Sequence, residues 1–342
     1  MNHDEYKKTA AGSTAHPSRR WVTRAVALLA AASALFLGGK AMAAYPERPI
    51  RMLVAYAPGG STDVLARMFA QELSTKLGQS VVVENKAGGG TLIGTQQVIR
   101  ANSDGYTLLF GSPATVITPL LYANPPYDVL EDLSPVSMAT VQSMGVLASS
   151  AKGFSSVADL ISYAKANPGA VNFASSGNGS AQHLSAEALS EATGIKMTHI
   201  PYKGAGVAIT DLLAGRVDLM ITSLVDSMME NVKNGTIKLL ATTGPARAAA
   251  MPNVPTVAES GVPGFSVTTF TAIYGPKGMP QEAADTIGAA MKEIQAEGKI
   301  QKLIETQAMD VRASSTAQMA EFMAKEKAFY SGIIVRTKAS RD

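Results

Sequence analysis

Three short turns rich in glycine and serine carry the residues with the clearest chemical capacity. They are residues 58–63 (PGGSTD), 175–180 (SSGNGS) and 202–206 (YKGAG), and each lies between a strand-like run and a segment of helical period. The first residues of a helix have N–H groups without an intrahelical acceptor and a partial positive charge, which suit an anion. Glycine lets the backbone approach a ligand closely. We therefore predict that these turns hold a carboxylate without the help of an arginine.

Patterns for nucleotides and metals are weaker. The chain contains no G-x-x-x-x-G-K-[ST] run, which excludes a P-loop. Gly88, Gly90 and Gly94 are spaced G-x-G-x-x-x-G, one residue off the dinucleotide fingerprint. There is no cysteine, and beyond residue 43 the only histidines are His183 and His199, without clustered carboxylates. We predict no metal site and no cofactor.

A catalytic interpretation has one candidate pair. His183 follows Ser180 by three residues, so the two lie on one helical turn. Nucleophilic catalysis by serine needs an exposed hydroxyl, a base and an oxyanion hole together, and no G-x-S-x-G elbow is present. We expect His183 to be a structural residue or a ligand contact.

Strand-like runs and helical segments alternate along the chain, which favours parallel α/β units. We predict strands at residues 50–56, 80–84, 106–110, 171–174, 196–200, 218–221, 236–240 and 266–274. We predict helices at residues 61–77, 91–101, 156–166, 181–193 and 207–213, followed by three more before the C-terminus. In the first helix we expect a hydroxyl cap at Ser61 or Thr62, Asp63 in the first turn, one apolar face and an end at Gly78. That face carries Val64, Leu65, Met68, Phe69, Leu73 and Leu77.

The first 43 residues are typical of a signal peptide. Arg19, Arg20 and Arg24 form a basic region, and residues 25–39 form an apolar stretch too short to span a bilayer comfortably. Residues 41–43 (AMA) predict cleavage before Ala44 and a periplasmic protein. The run SRRWVTR at residues 18–24 also resembles a twin-arginine signal, and the choice between the two export routes stays open.

The net positive charge of the chain comes from that segment. Residues 1–43 contain six of the 30 basic residues and two of the 27 acidic ones. The remainder has 24 basic and 25 acidic residues, a formal charge of −1. The sequence after residue 43 has no stripe of basic residues of the kind that binds nucleic acid, so we exclude nucleic acid as a partner. An exported chain without cysteine has no disulfides and depends on its hydrophobic core.

The order of elements predicts two lobes. We place lobe 1 at residues 44–143 and 269–342, and lobe 2 at residues 144–268. A chain that leaves a domain and returns to it crosses the boundary twice. Two crossings of this kind suit closure by a hinge around a ligand.

Nine motifs in order along the chain resemble one family. They are YPERPI (residues 45–50), APGGSTD (57–63), VENK (83–86), DGYTLL (104–109), ASSGNGS (174–180) with His183 and Leu184, PYKG (201–204), DLL (211–213), DLM (218–220) and VPTVAE (254–259). With these motifs the sequence resembles the Bug-type (TctC-like) receptors, the substrate-binding component of tripartite tricarboxylate transporters. The similarity covers essentially the whole chain after residue 43.

This resemblance implies a type II periplasmic binding protein fold, with two α/β lobes and a ligand cleft between them. It implies a small carboxylate ligand, such as a di- or tricarboxylate or an aromatic acid, held by the loop at residues 56–63 and by residues 176–180 of the opposite lobe. The ligand-binding residues predicted from the turns and the resemblance together are Tyr56, Ala57, Pro58, Gly59, Gly60, Ser61, Thr62, Asp63, Ser112, Ser176, Gly177, Asn178, Gly179, Ser180, His183, Tyr202, Lys203, Thr222 and Ser223.

The chain departs from the family pattern in two places. Residues 112–119 (SPATVITP) lack the histidine and asparagine of many relatives. Ile221, Thr222 and Ser223 stand where many relatives have Phe-Asp-Asn. The missing acid disfavours an amino acid, because its ammonium group would need a carboxylate partner. We therefore predict a carboxylate ligand without an ammonium group.

The resulting hypothesis is a monomeric periplasmic solute-binding protein that delivers its ligand to the permease subunits of such a transporter. A sensing protein of the same fold, which signals to a membrane sensor kinase, is the first alternative. An exported α/β hydrolase is the alternative from another class. The absence of a convincing nucleophile–base pair weighs against the hydrolase.

Overall fold

The computed structural model describes residues 45–339, apart from the side chains of residues 226 and 227. The predicted signal peptide at residues 1–43 and its cleavage before Ala44 lie outside the described residues and stay predictions. Within the described residues, no helix is both long enough and apolar enough to cross a membrane.

Strands and helices alternate along this range. The strands are β1 (Ile50–Val54), β2 (Val81–Asn85), β3 (Thr107–Gly111), β4 (Leu133–Ser149), β5 (Asn172–Ser175), β6 (Thr198–Pro201), β7 (Leu219–Ser223), β8 (Ile237–Thr242), β9 (Thr268–Pro276) and β10 (Met309–Val311). The helices are α1 (Ser61–Leu77), α2 (Leu92–Ile99), α3 (Pro113–Leu120), α4 (Val157–Ala166), α5 (Ala181–Thr193), α6 (Ala205–Leu213), α7 (Asp226–Lys233), α8 (Gln281–Glu297), α9 (Lys299–Ile304) and α10 (Thr316–Thr337). This alternation confirms the predicted α/β class.

The strands join in the order β2-β1-β3-β9-β4-β7-β5-β6, and β8 and β10 also pair with β4. Strands β1, β2 and β3 are parallel, as are β5, β6 and β7. The long strand β4 connects these two groups: residues 133–143 pair with β9, whereas residues 144–149 pair with β7 and β8. The sheet therefore has two α/β halves that share one continuous strand.

Each half of the sheet is the centre of a lobe. Parallel strands followed by helices place the starts of those helices at the carboxyl ends of the strands, where open α/β sheets bind ligands. The residue boundaries predicted for the two lobes stay predictions.

Helix α1 shows how the sequence pattern sets the packing. Leu65, Phe69 and Leu73 repeat every four residues and are buried in the same cluster as residues of β1 and α8. Val64 was expected on this face, but its side chain is 48% exposed, because one residue along a helix rotates the side chain by about 100°. Gly78 ends the helix in the left-handed region, with φ 65°, as predicted.

Between residues 111 and 155 the sequence predicts no element, yet α3 and β4 lie there. Helix α3 begins with a capping box at Ser112 and has prolines at both ends, Pro113 and Pro119, which disguise its helical pattern. Strand β4 buries polar side chains, which breaks the apolar alternation. Their hydrogen bonds explain why they are tolerated: Thr140 Oγ1 lies 2.7 Å from Thr271 Oγ1, and Gln142 Nε2 donates to two backbone carbonyls.

Candidate functional site

A cavity of about 550 Å³ opens where helices from both halves of the sheet begin. The starts of α1, α3 and α5 and the first residue of α6 line it. None of the described residues that line it carries a charged side chain. An anionic ligand would therefore depend on neutral donors and helix starts rather than on a cation.

The cavity brings together ten of the predicted ligand-binding residues. Those that line it are Tyr56, Gly60, Ser61, Thr62, Ser112, Ser176, Asn178, Gly179, Ser180 and Ser223. The predicted residues outside its lining are Ala57, Pro58, Gly59, Asp63, Gly177, His183, Tyr202, Lys203 and Thr222.

Asp63 is turned away from the cavity and holds the first loop together. It is 2% exposed, and it accepts hydrogen bonds from the Gly59 N–H (2.9 Å), Asn85 Nδ2 (2.8 Å) and Arg67 Nε (3.1 Å). Burial alone would raise the pKa of Asp63, but the hydrogen bonds from Arg67, Gly59 and Asn85 lower it to about 2. Its charge is thus neutralised locally and does not confront an anion in the cavity.

The start of α1 keeps its backbone donors open. The N-cap is Gly60, and no side chain caps the helix, so the predicted hydroxyl cap at Ser61 or Thr62 is wrong. The carboxylate of Asp63 is already bound to Gly59, one residue before the cap. Within the described chain, the N–H groups of Ser61 and Thr62 donate to no protein acceptor, and both residues line the cavity.

The second loop, residues 175–180, has used most of its backbone donors. Its fold depends on side chains that return to accept them, so it offers a shaped wall with hydroxyl groups instead of a row of free N–H groups. The bonds are Ser176 N–H to Gln182 Oε1 (2.8 Å), Gly177 N–H to Ser175 Oγ (3.1 Å), Gly179 N–H to His183 Nδ1 (3.1 Å) and Ser180 N–H to Gly177 O (3.2 Å).

Two histidines lie under this loop. The rings of His183 and His199 are stacked, with centroids 3.9 Å apart and planes 7° from parallel, and Phe173 stacks on His199 at 4.9 Å. His199 Nε2 lies 2.7 Å from Ser175 Oγ. Burial and, next, the neighbouring His199 lower the pKa of His183 to about 4, and burial lowers that of His199. Both rings are therefore neutral at pH 7.

Neither serine near these rings is arranged as a nucleophile. Ser180 Oγ accepts the backbone N–H of His183 at 3.2 Å and caps α5, so the predicted Ser180–His183 pair does not form through the imidazole. Ser175 is fully buried, and its hydroxyl donates to the carbonyl of Gly177. A substrate outside the fold could not reach it.

The remaining predicted contacts lie behind the lining. The hydroxyl of Tyr202 donates a hydrogen bond to Asp211 Oδ2 at 2.7 Å. Of the turn at residues 202–206, only Ala205 lines the cavity. Thr222 is buried and accepts a hydrogen bond from Gln182 Nε2 at 2.6 Å. Thr222 therefore orients Gln182, which does line the cavity.

Helix α3 forms a wall of the cavity that the sequence did not indicate. At its start, the hydroxyl groups of Tyr56 and Ser112 are hydrogen-bonded at 2.7 Å. Ile117 on the helix and Leu121 just beyond its end also line the cavity. Leu121 also touches the second loop so closely that a Cβ built on Gly179 would collide with its methyl groups.

The residues missed by sequence reasoning mostly sit on α3 and on neighbouring turns. A glycine-rich turn leads to Gly90 and Thr91, which was a usable signal, but nothing local marks the apolar members. They are Gly90, Thr91, Pro113, Ala114, Ile117, Thr118, Leu121, Met144, Ala181, Gln182, Ala205 and Thr269. No group of three or more metal-ligating side chains occurs in the described part of the chain.

Sequence comparisons identify relatives along nearly the whole described chain. The profile of the family described as Tripartite tricarboxylate transporter family receptor matches residues 65–338. The chain is 36% identical over 297 residues to Protein BugT of Bordetella pertussis, covering 86% of this chain and 91% of BugT. It is 33% identical over 293 residues to a protein from the tcbD-tcbE intergenic region of Pseudomonas sp. strain P51, covering 85% and 87%.

Solved structures of similar proteins share the fold. The periplasmic binding protein BugD matches with a TM-score of 0.71 and 32% identity, covering 86% of this chain and 99% of BugD. An R. palustris protein solved with adipate matches with 0.74 and 30%, covering 86% and 99%. MatC from Rhodopseudomonas palustris, with bound malate, matches with 0.70 and 26%, covering 85% and 100%. These matches confirm the predicted two-lobed periplasmic binding protein fold.

Proposed function

The chain belongs to the receptor family of tripartite tricarboxylate transporters, as a periplasmic solute-binding receptor, and from this premise we propose that it captures a small organic acid by its carboxylate. The acid is a di- or tricarboxylate or an aromatic acid, and the closed, liganded protein delivers it to the membrane subunits of such a transporter. The related proteins solved with adipate and with malate support this class of ligand.

The observation that carries the proposal is the open start of α1. Ser61 and Thr62 present N–H groups without protein acceptors to a cavity of about 550 Å³. A carboxylate placed there accepts charge-assisted hydrogen bonds and benefits from the helix dipole. The hydroxyls of Ser61 and Thr62 supply further donors at the same place.

The same cavity disfavours an amino acid. An ammonium group needs an anionic or strongly accepting partner when it leaves water, and no described residue lining the cavity has a carboxylate. Thr222 is bound to Gln182 behind the lining, so the position where many relatives have an acid contributes none. We propose a carboxylate ligand without an ammonium group.

Ligand capture requires the lobes to move. We propose lobe 1 at residues 44–143 and 269–342 and lobe 2 at residues 144–268, with closure bending the chain near Ser143 and Thr268. Strand β4 changes its pairing partner between Ser143 and Met144, which supports the first crossing. Ligand binding then shifts a population of conformations and involves no reaction.

A thermal-shift screen tests this function. The full chain is expressed, the exported protein is purified, and its N-terminus is sequenced to test cleavage before Ala44. After unfolding and refolding to remove bound ligand, it is screened against mono-, di- and tricarboxylates, aromatic acids and amino acids. A ligand at a hundredfold excess over Kd stabilises the fold by about 2.7 kcal/mol, which raises the Tm by several degrees.

The expected result is a shift with one class of carboxylate and none with amino acids. A preference for aspartate or glutamate over the matching acids without an amino group would overturn the exclusion of ammonium. If neutral solutes shift the Tm and no carboxylate does, the proposed ligand class is wrong. Tryptophan fluorescence gives no signal in a protein cleaved before Ala44, because the single tryptophan is Trp21.

A further inference from the structure

The stacked histidines hold the second loop at two points. His183 Nδ1 accepts the N–H of Gly179 at 3.1 Å, and Gly179 lines the cavity. His199 Nε2 lies 2.7 Å from Ser175 Oγ, where the loop leaves β5. The centroids of the two rings are 3.9 Å apart, so the rings are in direct contact.

This arrangement requires particular protonation states. Because Gly179 donates to Nδ1 of His183, the proton of that ring must be on Nε2. Ser175 Oγ donates to Gly177 O, so His199 Nε2 is the donor toward Ser175. Each ring is therefore a neutral Nε2–H tautomer, and the stack contains no charge.

The groups that face the pair are few. Glu187, one turn along α5, places Oε1 3.7 Å from His183 Nε2, and burial raises its pKa. Phe173 and His199 cover the ring faces. Burial and then His199 lower the pKa of His183 to about 4 from an ordinary value of 6.5. The surroundings thus keep the ring neutral.

We propose that the stacked pair of His183 and His199 positions the second ligand loop, and that protonation of the pair releases this loop and lowers the affinity of the cavity for its ligand. The inference rests on the proposed function, since it concerns affinity for the same ligand. Both histidines act as positioning residues, because neither lines the cavity.

The chemical reason is a conflict at one atom. A proton added to His183 must go to Nδ1, which then points a second hydrogen at the N–H of Gly179. The hydrogen bond is lost, and a positive ring faces its stacked neighbour. Gly179 also packs against Leu121 of the opposite lobe, so its release alters the contact between the lobes across the cavity.

The direction of the pH effect follows from linkage. The released loop leaves His183 near its ordinary pKa of 6.5, whereas the ordered loop holds the pKa at about 4. Protons therefore favour the released state as the pH falls from 6.5 toward 4, by up to about tenfold per pH unit. Above pH 6.5 the ring is neutral in both states, so the pair has no further effect on the loop. Glu187 opposes this trend, because its carboxylate, when ionised, lies 3.7 Å from His183 Nε2 and favours the protonated ring.

The test is the ratio of Kd at pH 5.0 to Kd at pH 7.5, measured by calorimetry within each variant. The probe is the carboxylate that gives the largest shift in the screen. His183→Asn places an amide oxygen, an acceptor, where Nδ1 lies, and His199→Gln places an amide nitrogen, a donor, where Nε2 lies; neither side chain titrates. Protonation of the probe itself affects all variants equally, so the comparison between variants cancels it.

We expect the ratio of the native protein to exceed that of His183→Asn by a factor of up to about thirty, with an intermediate ratio for His199→Gln. Glu187→Gln should enlarge the ratio, because it removes the opposing group. Equal ratios in the native protein and in His183→Asn would overturn the proposal.

A measurement without ligand separates this inference from the proposed function. Hydrogen exchange of the peptide that contains residues 176–180, corrected for the intrinsic effect of pH, should show lost protection between pH 6.5 and pH 5 in the native protein. His183→Asn should abolish that loss. Unchanged protection in the native protein would overturn the inference even if the carboxylates bind. If no carboxylate binds but protection is lost, only the proposed function fails.

Discussion

Residues 58–63 and 175–180 look alike in sequence but treat their backbone donors in opposite ways. In the first loop, Asp63 takes the N–H of Gly59 and leaves Ser61 and Thr62 open to the cavity. In the second loop, the N–H groups of Ser176, Gly177, Gly179 and Ser180 donate hydrogen bonds within the protein. The first loop therefore supplies donors, and the second supplies a fixed shape with hydroxyl groups.

The difference teaches that a glycine- and serine-rich turn is not in itself an anion site. What matters is whether a side chain returns to satisfy the backbone. Asp63 binds the N–H of Gly59, one residue before the N-cap, and therefore leaves the helix start open. Gln182 and His183 instead bind N–H groups of residues that line the cavity.

Removing Asp63 should have the largest effect. Asp63→Ala removes the carboxylate that accepts three charge-assisted hydrogen bonds, from the Gly59 N–H, Asn85 Nδ2 and Arg67 Nε, so we expect the free energy of unfolding to fall by about 4 kcal/mol and ligand binding to be lost. Urea unfolding and calorimetry measure the two effects. The control is Glu321→Ala, which removes an exposed ion pair to Lys325 and should cost less than about 0.5 kcal/mol. Intact binding in Asp63→Ala would show that the first loop does not depend on this carboxylate.

Gly179→Ala probes the shape of the second loop. The residue has φ 69°, and an added Cβ would collide with Leu121, so we expect a loss of about 3 kcal/mol and weaker ligand binding. Gly78→Ala is the matched control, because its φ is 65° and the added Cβ meets open space, so backbone strain alone costs about 1 kcal/mol. Leu121→Ala in the Gly179→Ala background should recover part of the loss. Equal effects at the two glycines would mean that the contact with Leu121 is unimportant.

Ser61→Pro tests the open donors directly. Proline is tolerated at the first position of a helix and removes one N–H, so the Tm should hardly change while Kd rises about tenfold. Ser61→Ala keeps the N–H and removes only the hydroxyl, and its effect should be smaller. Calorimetry and thermal unfolding supply the readouts. An unchanged Kd in Ser61→Pro would move the carboxylate away from this helix start.

Acid should destabilise the second loop at a higher pH than the first. The second loop loses stability as the pH falls from 6.5 toward 4, the range set by the lowered pKa of His183. The contribution of Asp63 is fully present above its ordinary pKa of 3.8 and is lost only as the pH falls toward about 2. Hydrogen exchange at pH 4.5 should therefore show lost protection in the second loop, whereas the Gly59 N–H, which is bound to Asp63, should exchange as slowly as at pH 7. Simultaneous loss of protection would contradict this order.

Local sequence determined much of the scaffold. Helix α5 is found at residues 181–193 as predicted, and α1 ends at Gly78 as predicted, because helical period and a left-handed glycine are properties of neighbouring residues. The α/β class and the family follow from the same local motifs. Helix α3 and strand β4 escaped prediction because prolines and buried polar residues hide their periods, and only hydrogen bonds to distant residues make those polar residues acceptable.

Tertiary structure alone decided which loop keeps its donors. Asn85, which fixes Asp63, lies 22 residues from it in the chain, and His199 lies 24 residues from Ser175. Leu121 reaches Gly179 from the opposite lobe. The sequence of a turn specifies its possible conformations. Whether its N–H groups are bound depends on acceptors from distant residues, and tertiary packing decides where those acceptors lie.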